Sequence, residues 1–181
     1  MKFGGTSMRN LIAVALFGAC AIAAPVALRA ETSGADAYAE AGQVTAEIAD
    51  AYFAAYIGRD WDTLETLITD QTDFRDPTAT HVFGDITSEG SAAMMKRFRE
   101  GYSNLTHMEF AATRRLVSGN VALYEGELTW GLDLGDGTIV DSTTPMVIVL
   151  TVEGSKVIHH RDYLDYAPFV AAVEEARGKA E

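Results

Sequence analysis

The stretch Tyr52 to Pro77, YFAAYIGRDWDTLETLITDQTDFRDP, decides the fold. It reads as the end of one helix, a Gly58-Arg59-Asp60 break, a short second helix, and a strand that stops at Asp76-Pro77. The residue before a proline is pushed out of the helical region. Asp76 is therefore expected on extended backbone at a strand end, which holds an acidic group on a rigid edge. Asp60 is a natural N-cap for the second helix, whose apolar face is Trp61, Leu64 and Leu67-Ile68.

Upstream, Val44, Ile48, Tyr52 and Ala55 recur at helical intervals from Asp36 to about Gly58 and turn Tyr52 toward whatever the helix covers. Downstream, Thr78 to Gly84 reads as a loop holding His81 and Phe83. Ser88, followed by Glu89, starts a third helix that presents Met94, Met95 and Phe98 as core filler and ends at Gly101. After Asn104 the periodicity changes from helical to alternating. Met108, Phe110, Ala112 and Leu116 mark the first long strand. Val121–Trp130 is the next, and Thr138–Val152 the one after it, with a bulge or bend expected at Pro145. Lys156–Tyr166 is the last strand, and Pro168 opens a terminal helix, Phe169–Arg177. Helices first and then a run of antiparallel strands predict an α+β fold in which a curved sheet folds round three helices. Such a sheet, closed at one end by helices, leaves a cone with an apolar pocket.

The quoted stretch also resembles the opening of the NTF2-like superfamily, which includes SnoaL-like cyclases, ketosteroid isomerases and limonene epoxide hydrolases. The resemblance rests on Tyr52-x-x-x-Tyr56-x-x-x-Asp60-Trp61-x-x-Leu64 followed by Phe74-Arg75-Asp76-Pro77. It implies an NTF2-like, cystatin-like cone over residues 36 to 181, with a homodimer through the outer sheet face. In the isomerases, a helix tyrosine that donates to the substrate oxygen and a general-base aspartate before proline stand at the interval of Tyr52 and Asp76. His160-Arg161-Asp162-Tyr163-Leu164-Asp165 resembles the epoxide hydrolase segment whose first aspartate helps activate water, and Asp162 matches that aspartate. This chain also departs from those families. The hydrolases' Arg-x-Asp pair falls on Glu125-Gly126-Glu127, and the isomerases' second acid falls near Val147. Losing that second donor would forfeit about 2–4 kcal/mol at the transition state, which argues against efficient steroid isomerisation.

The candidate site residues are therefore Tyr52, Asp76, His160 and Asp162, each with two readings. Tyr52 either stabilises developing charge on a substrate oxygen or reaches a buried carbonyl. Asp76 is either a base or an acceptor for backbone N–H groups before the proline. Asp162 is either a base or the partner of Arg114 or Arg115. On the last strand His160 and Asp162 share a face with Ile158 and Leu164, while Val157, His159, Arg161 and Tyr163 share the other. His160 thus serves Asp162 as proton donor or partner, or is a satisfied core group. Adjacent histidines on a strand face opposite sides, so His159 and His160 cannot share one metal ion without distortion. No metal or other cofactor is expected, and no phosphate loop, Ser-His-Asp elbow or cysteine nucleophile is present.

At 181 residues and 48% hydrophobic, the chain is long enough for one core. Lys2 and Arg9, the apolar run Leu11–Ala24 and small residues up to Ala30 read as a secretory signal over residues 1 to 30, with 31 to 35 a polar tether. The expected location is periplasmic or secreted. Phe17-Gly18-Ala19-Cys20 is an imperfect lipoprotein box, so contact with a membrane is expected only if Cys20 is lipidated. Removing residues 1 to 30 takes away three cations (Lys2, Arg9 and Arg29) and no acid, which moves the net charge from −12 to −15. So acidic a surface repels phosphate backbones, and nucleic-acid partners are not expected. The expected partner is a small apolar molecule with one polar oxygen.

Overall fold

In the computed structural model, which describes residues 33–178, helix α1 (Gly34–Ile57) begins at Ser33, whose hydroxyl oxygen accepts the Asp36 N–H at 3.1 Å. Its buried face is Thr45, Ala49, Tyr52, Ala55 and Tyr56, whereas Val44 is 46% exposed. The buried stripe thus lies beside the expected one and includes Tyr56, one turn after Tyr52. In so alanine-rich a helix, small residues leave the direction of the stripe poorly specified. The chain reverses through Arg59, which takes a positive φ of 55° and donates from Nη1 to the Leu105 carbonyl. Asp60 then caps helix α2 (Trp61–Thr66), as expected.

Strand β1 (Asp73–Asp76) ends at the predicted Asp-Pro edge. Two expectations fail just beyond it. Residues 77 to 83 are helical rather than loop: a 3-10 turn, Pro77–Ala79, leads into the single-turn helix α3 (Thr80–Phe83). Ser88 does not start a helix; it lies in strand β2 (Ile86–Glu89), which pairs with β1 from Asp76↔Ile86 to Asp73↔Glu89. Gly90, at φ 83°, turns the chain, and helix α4 (Ser91–Gly101) follows with Met94, Met95 and Phe98 buried. Four residues are too few for alternation to register, so their pairing is dictated by β1.

Four long strands complete the sheet: β3 (Leu105–Ser118), β4 (Val121–Asp133), β5 (Ile139–Glu153) and β6 (Lys156–Leu164). The strand order is β2-β1-β6-β5-β4-β3, and the sheet is curved and unclosed. Every pairing is antiparallel except β1 with β6, which is parallel, a correction to the all-antiparallel expectation. Helix α5 (Ala167–Gly178) follows the sheet.

Departures from strict alternation decide which side chains face inward. A register shift at Thr113 in β3 turns Leu116 outward, to 51% exposure, and sends Arg115 across to Asp50 of α1 at 2.7 Å. A second shift leaves Ile158 without a partner, so Val157 joins His160 and Asp162 on the inner face instead of sharing the outer one. Pro145 causes no break, since β4 pairs through it at Glu127. Its carbonyl accepts the Asp165 N–H just past the end of β6, so the missing donor faces a gap in the ladder.

The core is strongly aromatic. Phe98 is fully buried and touches the rings of Tyr56, Trp61, Phe74, Tyr102 and His160. On the other face of the sheet, Asp73 clamps the parallel β1–β6 pair. Its carboxylate takes Arg161 Nη2 at 2.6 Å and Arg75 Nε at 3.0 Å, and it also bonds His159 Nδ1. Burial raises the Asp73 carboxyl, but the hydrogen bonds and charges of His159 and Arg161 outweigh it and hold the group below the ordinary carboxylate value.

A carboxyl depressed in the fold stabilises the protein above its unfolded pKa and loses that contribution as pH falls through the folded one. The wild type should therefore lose stability below about pH 4, as measured by the urea midpoint against pH. Asp73→Asn should be less stable at neutral pH and show a flatter acid limb. An unchanged acid limb would show that Asp73 is not the clamp.

Candidate active site

Strand β6 turns both His160 and Asp162 inward, and neither is more than 2% exposed. Asp162 Oδ1 bonds His160 Nε2 at 2.7 Å, and Asp162 Oδ2 accepts the Tyr56 hydroxyl at 2.7 Å. His160 Nδ1 lies 2.9 Å from the Tyr52 hydroxyl, and the Tyr56 hydroxyl lies 2.6 Å from that of Tyr102. One assignment satisfies every group: Nε2–H donates to the Asp162 carboxylate, the Tyr52 O–H donates to Nδ1, and Tyr102 donates to Tyr56. The order Tyr52, His160, Asp162, Tyr56, Tyr102 is thus one hydrogen-bonded chain joining α1, β6 and the end of α4.

This chain is locked by rings. His160 meets Tyr52, Tyr56 and Phe74 edge-on, with centroids at 5.4, 4.6 and 4.8 Å. Among the described residues no lysine or arginine pairs with Asp162 within ion-pair distance, so its charge is held by hydrogen bonds alone. Burial, and then the charge of Asp162, push the Tyr52, Tyr56 and Tyr102 hydroxyls well above their ordinary pKa. These phenols stay protonated and act as donors.

A cavity of about 200 Å³ opens beside the chain. Asp162, Tyr56, Tyr102, Asp76, Tyr166 and Arg97 supply its polar wall, and Phe74, Met108, Leu128, Trp130 and Met146 much of the rest. Asp76 is 4% exposed and accepts from four donors. Its Oδ1 accepts Thr78 N–H at 3.0 Å, Ala79 N–H at 3.0 Å and the Thr78 hydroxyl at 2.5 Å, and its Oδ2 accepts the Tyr166 hydroxyl at 2.5 Å. Three donors converge on Oδ1 and one on Oδ2, which keeps one lone-pair position. Asp162 has two donors and two positions to spare.

The four candidates are thus placed differently. Asp162 and Asp76 line one cavity. His160 and Tyr52 lie behind Asp162 and do not line the cavity, and the α1 hydroxyl that does is Tyr56. Asp162 is not the partner of Arg114 or Arg115, which pair with Glu125 at 3.1 Å and Asp50 at 2.7 Å. Glu125 and Glu127 stand on the outer face of β4, since Tyr124, Gly126 and Leu128 are its buried positions. Tyr56 carried a legible signal, one turn from Tyr52. Tyr102, Tyr166 and Arg97 carried none, because each reaches the cavity from a helix end or helix flank.

The signal and lipoprotein readings fall on residues 1 to 30, outside the described residues. Comparison with curated proteins returns no match. Among solved structures, the chain is similar to a SnoaL-like polyketide cyclase-type protein of Shewanella denitrificans OS-217, with 17% identity, TM-score 0.66, and coverage of 73% of this chain and 98% of the other. TerC, co-crystallised with polyporic acid, is 20% identical with TM-score 0.60 and coverage of 72% and 98%. An LEH-like epoxide hydrolase of M. tuberculosis is 19% identical with TM-score 0.54 and coverage of 76% and 92%. At these identities the likeness concerns the fold. The SnoaL-like domain profile matches residues 49–160, from the last third of α1 to His160, and so holds Tyr52, Tyr56, Tyr102 and His160 of the hydrogen-bonded chain. The protein belongs to the SnoaL-like domain family.

Proposed function

We propose that this domain binds a small, largely apolar molecule carrying an enolisable carbonyl and moves a proton on it, with Asp162 as the acceptor. One observation carries the reading: a buried carboxylate, held by a histidine and a tyrosine rather than by a cation, faces an apolar cavity with two lone-pair positions unoccupied. The polyporic acid of TerC supports a small-molecule occupant.

Asp162 takes a proton from the carbon next to the carbonyl, and the C–H electron pair moves onto the carbonyl oxygen as an enolate. Once protonated, Asp162 no longer holds the Tyr56 hydroxyl as strongly, and Tyr56 turns its donor to the enolate oxygen. Tyr102 supports Tyr56 in the same shift. Return of the proton from Asp162 to carbon restores the carboxylate. His160 and Tyr52 position Asp162 from behind. Size sets a limit on the ligand. An engineered cavity of about 150 Å³ takes benzene, so about 200 Å³ admits a ring or a fused pair rather than a four-ring steroid.

A non-catalytic carrier with the same pocket is the second reading, favoured by Asp76, whose carboxylate is committed to four donors from residues 78, 79 and 166. Deuterium exchange at C1 of 2-tetralone in D2O, followed by NMR, separates the two. Proton transfer predicts exchange above the buffer rate, lowered about 100-fold or more by Asp162→Asn and about 10-fold by Tyr56→Phe. Binding without exchange would leave the carrier.

The reading also puts the mature domain outside the cytoplasm, as two copies joined through the outer sheet face, where Leu116, Ile139 and Tyr163 are exposed. Mass spectrometry of the exported protein should find an N-terminus after Ala23 or Ala30, and sedimentation should give a dimer. A retained leader or a monomer would remove the corresponding claim.

A further inference from the structure

Among the described residues that line the cavity, Arg97 of α4 is the only lysine or arginine, and the proton transfer to Asp162 does not use it. It is partly buried against β2. Its Nε donates to the Ser88 hydroxyl at 2.6 Å and its Nη2 to the Thr87 carbonyl at 2.9 Å. Ser88 is itself buried and pairs with Phe74, another residue of the cavity wall, so the guanidinium is fixed where it stands.

Two features separate Arg97 from an arginine that serves the fold alone. Arg75, Arg99, Arg114, Arg115 and Arg161 each lie within ion-pair distance of a carboxylate. Arg97 has no such partner among the described residues, although Asp76 and Asp162 line the same cavity. In a chain with 26 acidic residues against 14 basic ones, a cation without an acid beside it is the exception. The second feature is the way it is held. Nε and Nη2 use one edge of the guanidinium against β2, which leaves the end of the fork, with N–H groups on Nη1 and Nη2, without an acceptor.

A cation at an apolar wall is costly unless a counter-charge meets it, and a carboxylate is the acceptor whose two oxygens match two parallel N–H groups. The charge also reaches the reacting end of the site. Burial and then Asp162 raise the Tyr102 hydroxyl, and Arg97 works against them. Tyr102 stands two hydrogen bonds from Asp162, through Tyr56.

We propose that Arg97 is the anchor for a carboxylate on the ligand. This rests on the proton-transfer reading for the reacting carbon, and it narrows the ligand class to a small, largely apolar keto acid. Arg97 is then a specificity-determining residue: it takes the acid group, while Asp162 faces the carbon next to the carbonyl.

Equilibrium binding of 2-naphthoate and 2-naphthamide at neutral pH tests the anchor, because the two probes share a shape and differ in charge. The wild type should bind the naphthoate about tenfold tighter. Arg97→Met keeps much of the stem and removes the charge. It should bring that ratio to one or below, since Asp76 and Asp162 then repel the anion. Arg97→Lys keeps the charge and loses the fork, so it should lower the ratio in part, which keeps the test available if the methionine variant does not fold. Equal affinities in the wild type, including no measurable binding of either probe, would overturn the anchor, as would a ratio that neither substitution lowers. Failure of the proton-transfer reading looks different: the naphthoate preference persists, but 2-tetralone exchanges no deuterium above the buffer rate.

Discussion

The structure depends on one buried charge. Asp162 sits in an aromatic interior with no arginine or lysine against it, and a carboxylate removed from water without partners would cost several kcal/mol. His160 and Tyr56 supply the missing hydrogen bonds from a β-strand and a helix. Tyr52 and Tyr102 then satisfy the far sides of those two groups. Three elements of the fold, α1, β6 and the end of α4, are thereby tied to a single carboxylate, and the rings of Phe74 and Phe98 fix the imidazole between them. The demand for satisfaction also makes the arrangement specific, since losing one member leaves its neighbours unpaired in low dielectric.

The fold separates two acids that look alike in sequence. Asp76 sits at the end of a strand before proline, where three donors from residues 78 and 79 and the hydroxyl of Tyr166 converge on it. It holds the 3-10 turn and the start of the C-terminal segment in place while presenting its side to the cavity. Asp162 sits in mid-strand, where the neighbouring backbone groups are committed to the sheet, so only side chains can reach it. The local backbone therefore assigns one carboxylate to structure and leaves the other for chemistry. The fold alone does not make that distinction, since one architecture serves many activities.

Much of the frame was legible in the sequence. Asp60 as a cap, Asp76 at a strand end, and His160 with Asp162 on one face all follow from local rules that the structure obeys. The failures have physical causes. The register shifts near Thr113 and Ile158 each move a residue across the sheet, which exposes Leu116 and buries Val157. No periodicity of two can foresee a slip of one. The strand Ile86–Glu89 is defined by its neighbour rather than by its own residues. The inward hydroxyl of α1 was placed one turn early because Tyr52 and Tyr56 share a face and only packing distinguishes them. Glu125 and Glu127 were aligned to a pocket pair, yet they stand on the outer side of β4. The unpaired polar groups of Trp130, Ser142 and Thr144 could not be picked out, because being left unpaired is a property of the surroundings and not of a residue.

The central claim is that Asp162 rests as a carboxylate that accepts from both His160 and Tyr56. Nitrogen-15 NMR of the imidazole in the resting protein tests it most directly, because the proton position on His160 reports which way the chain of hydrogen bonds runs. The account predicts the Nε2–H tautomer, with Nδ1 accepting from Tyr52. A proton on Nδ1 with Nε2 as acceptor would mean that Asp162 is the donor, and the poised base would not exist.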